Sequence, residues 1–137
     1  MIVMRRLVPL LLLLLAGCAV LPPEPTRSVP SQNPAVVALL GRAQDQSAGG
    51  ELEQAGANLE RALRIEPRNA WLWQELARVR LDQGLYRQAE SLAAKSNGLA
   101  AQDRTLRAEN WRIIGQARSA QGDFDGAQAA FERAERD

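Results

Sequence analysis

Histidine is absent from the 137 residues, and cysteine occurs once, at Cys18. A lone cysteine excludes an intramolecular disulfide framework and a cysteine-built zinc site. Without histidine the chain lacks the commonest general base and the commonest transition-metal ligand. Aromatic residues are scarce, at 4%. A core must then be built from leucine, alanine and a few large rings, which suits thin helical layers better than a deep sandwich or barrel. A charge excess of either sign is also lacking, with 17 basic residues against 16 acidic ones. Setting aside Arg5 and Arg6, which lie in a segment expected to be removed, leaves 15 against 16. Nucleic-acid binding needs a concentrated basic surface, whereas these arginines are interleaved with acids, so no nucleic acid is expected as a partner. No glycine-rich phosphate loop, nucleophile elbow or metal-binding motif occurs, and neither an enzymatic activity nor a cofactor is expected.

What is present begins with an address. Arg5 and Arg6 precede an apolar run from Leu7 to Leu15 and then small residues, the layout of a secretory signal peptide over residues 1–17. A spanning helix needs ~20 apolar residues; this run is far shorter and Pro9 interrupts it. Leu15-Ala16-Gly17-Cys18 resembles the lipobox of bacterial lipoproteins at all four positions. The resemblance implies a thioether-linked diacylglycerol on Cys18, cleavage just before it, and acylation of the new N-terminus. Only a thiol side chain makes that thioether, and two or more acyl chains anchor stably where one is marginal. Ala19 after the cysteine, in place of aspartate, implies the outer membrane, facing the periplasm. Prolines at 22, 23, 25, 30 and 34 exclude helix and favour extended conformations, so residues 18–34 read as a tether and 35–137 as one domain.

That domain is internally repetitive. Three stretches align on the turn glycines Gly50, Gly84 and Gly122. Two residues after each comes a large apolar residue (Leu52, Tyr86, Phe124), expected to pack back on the preceding helix. Alanine follows at 55, 89 and 127, then Leu59, Ala93 or Phe131, and then Ala62, Ser96 or Ala134. Glycine takes the left-handed conformation that ends a helix, and the alanines let two helix backbones approach closely. Upstream of the turns, Leu72, Trp73, Leu76 and Val79, and then Trp111, Ile114 and Ala117, recur at helical spacing. Asp123 and Asp125 bracket Phe124 where a helix begins, and read as capping residues ahead of acid–base or calcium-binding carboxylates.

The pattern resembles the tetratricopeptide (TPR) repeat, two antiparallel helices in about 34 residues. Gly50 and Gly84 are 34 residues apart, Gly84 and Gly122 38, so about four extra residues fall between the second and third copies, expected near residues 97–106. The resemblance implies an all-α fold of about three hairpins (approximately 36–69, 70–103 and 108–137) in a short right-handed solenoid. Such arrays usually finish with a solvating helix. None follows the third copy here, so partial exposure of Phe131 is expected, with that end covered by self-association, by a partner, or by the polarity of its own helix.

TPR ligands usually lie along the concave face. Carried across, that face holds Trp71, Gln74, Arg78 and Leu81 in the second copy, and Glu109, Arg112, Gln116 and Ser119 in the third. In the first it holds Leu40, Gln44 and Ser47. Trp71 stands out because tryptophan and arginine dominate binding energies, with packing on a neighbouring hairpin as the alternative. Arg78 and Arg112 could read a carboxylate in bidentate fashion, or pair with neighbours such as Glu75 and Asp82. The lysine–asparagine clamp of some TPR proteins is not present. The resulting expectation is a membrane-anchored protein- or peptide-binding adaptor of the cell envelope. A self-associating structural subunit, hence a homo-oligomer, is the alternative, and a carboxylate-dependent cell-wall enzyme the least favoured reading.

Overall fold

The computed structural model describes residues 30–137. The expected signal peptide, Cys18 and the expected tether as far as Val29 lie outside the described residues. Within them, no helix is long and apolar enough to cross a membrane.

The three turn glycines all take positive φ, at 79°, 74° and 82° for Gly50, Gly84 and Gly122. Each closes its helix in the same way. The residue after the glycine donates to the carbonyl five back (Glu51 to Gln46, Leu85 to Arg80, Asp123 to Arg118), and the glycine N–H donates three back. These are Schellman motifs, which satisfy carbonyls that a helix end leaves without partners. They divide the domain into α1 (Pro34–Ala48) and α2 (Leu52–Ile65), α3 (Ala70–Asp82) and α4 (Tyr86–Leu99), and α5 (Arg104–Ala120) and α6 (Phe124–Arg136). Among the described residues there are only helices, paired as three hairpins. Asn33, Asn69, Asp103 and Asp123 cap the starts of α1, α3, α5 and α6 with side-chain oxygens.

The hairpins close through matched side-chain sizes. Seven residues before each turn glycine stand Ala43, Ala77 and Gly115, all buried; nine residues after it stand Leu59, Ala93 and Phe131. Ala43 and Leu59 share one core cluster, and Ala77 and Ala93 share the second. At the third hairpin the Phe131 ring lies where a Gly115 Cβ would project, 2.5 Å from its nearest carbon. The largest ring is thus accommodated by the smallest partner. The half-buried Phe131 meets the expectation of partial exposure, and α6 turns Gln128, Glu132, Glu135 and Arg136 outward.

Two expectations need correction. Phe124 does not pack back on its helix but is 70% exposed. Its counterpart Tyr86 is held in a cluster that includes Ile113, Ile114 and Ala117 of the following hairpin, and no described hairpin follows α6. The start of the third hairpin near 108 is the second, although the four extra residues do fall near 97–106. α5 has 17 residues where α3 has 13, so the third hairpin begins at Arg104, ahead of 108, and the insertion is one added helical turn.

That added turn is used. Arg104 donates to the backbone carbonyls of Arg136 and Asp137, and Arg107 pairs with Asp137 at 2.7 Å. Cationic side chains thereby meet the last carbonyls of α6, where the helix dipole favours them. The Arg107 hydrogen bond, followed by nearby positive charge and the Trp111 indole, holds the Asp137 carboxyl below the usual aspartate range. Arg133 stacks on Trp111 at 4.7 Å from the ring centre.

Between hairpins, Arg80 reaches back across Gly56 to Glu60 at 2.5 Å, and Arg118 reaches back to Glu90 at 2.6 Å. A buried polar chain adds to this. Gln74 donates to the Leu106 carbonyl and to Asn110, Asn110 donates to Ser96 Oγ, and Ser96 donates to the Ala70 carbonyl. Gln74, Ser96 and Asn110 are all buried, and burial without these bonds would be costly.

Candidate functional site

The first helices α1, α3 and α5 line two hollows that share Arg78. One, of about 250 Å³, lies between α1 and α3, with Leu40, Leu59 and Val79 in its lining and Gln44, Ser47, Glu75 and Asp82 among its polar residues. The other, of about 320 Å³, lies between α3 and α5 and is lined by Trp71, Gln74, Arg78, Asp103, Thr105, Leu106 and Glu109. Farther along α5, Arg112 and Gln116 line a third hollow with Phe131, Ala134 and Glu135.

The residues expected on the concave face therefore fall in adjoining places but in different states. Trp71 both packs and lines the groove: one part lies against the core cluster formed by α1, α2 and α3, and another lines the α3–α5 hollow. Trp73 is fixed by an indole N–H donated to the Pro67 carbonyl at 2.9 Å. Gln74 reaches the hollow's lining, but its side chain is 3% exposed and its amide nitrogen is committed to Leu106 and Asn110. It is a structural residue of the floor. Leu81 instead packs against the second core cluster.

Arg78 and Arg112 converge on one carboxylate. Arg78 Nη2 and Arg112 Nη1 each lie 3.0 Å from an oxygen of Glu109, and Arg78 Nη1 lies 3.7 Å from Glu75. Such half-exposed pairs contribute about 0–1 kcal/mol each. Glu75 is different, with only 16% of its side chain exposed. Burial lifts its carboxyl above the usual glutamate range; Arg78 pulls it back, and Glu109 pushes it further up. The pairing alternative is thus the one the arginines adopt, through Glu109 in addition to Glu75.

Asn110 and Thr105 went unnoticed in the sequence. Asn110 occupies a buried α5 stripe with Leu106, Ile113, Ile114 and Ala117, and a polar residue within an apolar stripe is the signal that could have found it. Thr105 belongs to the added turn, whose placement as helix the repeat spacing alone does not give. Asp123 caps α6 by accepting from the Gly126 N–H at 2.9 Å, as its position suggested.

A hairpin array with a groove along its first helices is the architecture of a helical-repeat binding protein. The tetratricopeptide-repeat family model matches residues 46–108. The globular C-terminal domain of Pseudomonas aeruginosa LpoP superposes with a TM-score of 0.74 at 42% identity, over 77% of this chain and 99% of that one. The chain belongs to the LpoP family, built on TPR repeats. The N-terminal domain of stress-induced protein-1 (STI-1) from Caenorhabditis elegans shares the fold, with a TM-score of 0.67 at 18% identity over 73% of this chain and 81% of its own. No curated protein sequence matches the chain.

Proposed function

We propose that this protein is a lipid-anchored, periplasm-facing adaptor that binds a protein or peptide of the cell envelope in the groove of α1, α3 and α5 and performs no catalysis itself. The single observation that carries the reading is the α3–α5 hollow, where Trp71 offers an aromatic surface beside the partly exposed Arg78. Membership of the LpoP family supports an envelope setting, and Leu15-Ala16-Gly17-Cys18 supports anchoring through Cys18 at the outer membrane. The covalent lipid would be its only added group.

In-cell cross-linking of the tagged protein tests this, run beside a Trp71→Ala, Arg78→Ala variant. Recovery of one envelope protein that the variant loses supports the groove; equal recovery by both removes it. Cys18→Ser should abolish fatty-acid labelling, and persistent labelling would remove the anchor. A second reading, self-association, rests on Phe124, which is 70% exposed. It predicts a dimer of the soluble chain in sedimentation that Phe124→Ser dissociates.

A further inference from the structure

Resting on the adaptor reading above, we propose that the groove receives a cationic segment of its partner, with arginine or lysine side chains set between aliphatic ones. The floor supplies the apolar half of this specificity, through Leu40, Leu59 and Val79 on one side of Arg78 and Leu106 with the Trp71 ring on the other. The rim supplies the rest. Of the carboxylates lining the two hollows, Glu75, Asp82 and Glu109 stand around Arg78, while Asp103 is engaged as the cap of α5.

The Arg78 guanidinium is already occupied. Arg78 holds Glu109 at 3.0 Å and Glu75 at 3.7 Å, while Arg112 takes the other oxygen of Glu109. An incoming carboxylate would have to displace these partners and would meet like charge on both sides. An incoming cation meets the opposite situation. Glu75, with 16% of its side chain exposed, has among the described residues a single ion-pair contact, at 3.7 Å; burial, which raises its carboxyl, is offset by that one long contact only in part. A guanidinium or ammonium between Glu75 and Asp82 would complete the compensation, and charge complementarity of this kind fixes specificity more than raw affinity. The arginines of this face thus organise its acids instead of reading a ligand's.

The test uses the chain from residue 18 onward carrying Cys18→Ser, labelled with ¹⁵N, and two blocked decapeptides, one alternating leucine with arginine and one alternating leucine with glutamate. Titration to millimolar concentration should move the Trp71 indole and the Thr105 and Glu109 amide resonances with the arginine peptide only. A Glu75→Gln, Asp82→Asn variant, folded by its spectrum, should bind that peptide about tenfold more weakly. Equal shifts from the glutamate peptide, an unmoved groove, or undiminished binding by the variant would each overturn the proposal. The same variant separates this idea from the adaptor reading in the cross-linking experiment. A partner lost with Trp71→Ala yet retained by the neutralised groove leaves the adaptor standing and removes its charge preference.

Discussion

Replacing Gly115 with alanine sets two effects of opposite sign against each other, and the geometry decides between them. In a helix interior alanine is favoured over glycine by about 0.8–1.0 kcal/mol, so on propensity alone the substitution stabilises α5. The new Cβ, however, would stand 2.5, 2.7 and 2.8 Å from three carbons of the Phe131 ring. Carbon atoms normally approach to about 3.5–4.0 Å, so the ring must retreat by about 1 Å, and overpacking of this kind costs about 1–3 kcal/mol. Phe131 is half-buried and can relax partly toward solvent, which places the cost near the middle of that range. The net expectation is a loss of about 1 kcal/mol, or about 4–8 °C in Tm for a domain of this size. Urea denaturation followed by circular dichroism measures it, and the informative experiment is the cycle with Phe131→Ala. Once the ring is gone, Gly115→Ala should change sign and stabilise by about 1 kcal/mol. If Gly115→Ala stabilises equally in both backgrounds, the ring does not sit on Gly115 and the size-matching account of the third hairpin is wrong.

Three further perturbations test other parts of the structure. Ala101 is the only described non-glycine residue with positive φ, at 47°; Ala101→Gly should raise stability by about 0.5–1 kcal/mol in chemical denaturation, and a loss would mean the strain is not there. Ser96→Ala removes the partner of both Asn110 Nδ2 and the Ala70 carbonyl and should cost about 1–3 kcal/mol; a neutral result would show that the buried polar chain contributes nothing net. Glu75 has a folded pKa above its ordinary 4.5, so the folded state binds its proton more tightly than the unfolded state does. Its contribution is therefore fully present below that value and is lost as pH rises through the folded pKa. Glu75→Gln should flatten this part of the stability–pH curve and leave the protein at least as stable at neutral pH, and an unchanged curve would assign the slope to other groups.

The hairpins were legible because their determinants are local. A glycine that must take positive φ, an alanine five residues on, and apolar residues at helical spacing are all visible along the chain, and Gly50, Gly84 and Gly122 do adopt that conformation. What was not legible depends on where the repeats stand relative to one another. Tyr86 and Phe124 occupy equivalent positions, yet one is packed and the other is 70% exposed, because the cluster that holds Tyr86 includes residues of the following hairpin as well as of its own. The four-residue excess was visible, but its conformation was not. Leu106 finds a buried place, and Arg104 and Arg107 find acceptors at the end of α6, only if the added residues continue α5 as helix.

The groove shows the same division more sharply. Position in the repeat gives the face a side chain occupies, and Trp71, Arg78, Glu109 and Arg112 do line adjoining hollows. It does not give what that side chain is already bonded to. Gln74 and Arg78, four residues apart on α3, share a face, but one is committed to a buried network and the other to exposed carboxylates. The start of α3 adds a constraint on how the groove can be presented. The Asn69 side chain that caps it also donates to the Pro30 carbonyl, and Ser31 donates to Glu66 at 2.6 Å. The segment at Pro30 and Ser31 is therefore bonded two residues from Trp71, beside the groove. Eleven residues separate Cys18 from Pro30, a span of at most about 40 Å when fully extended. Under the proposed anchoring, a partner held beside Trp71 must offer its cationic segment within that reach of the membrane surface, plus the width of the domain itself.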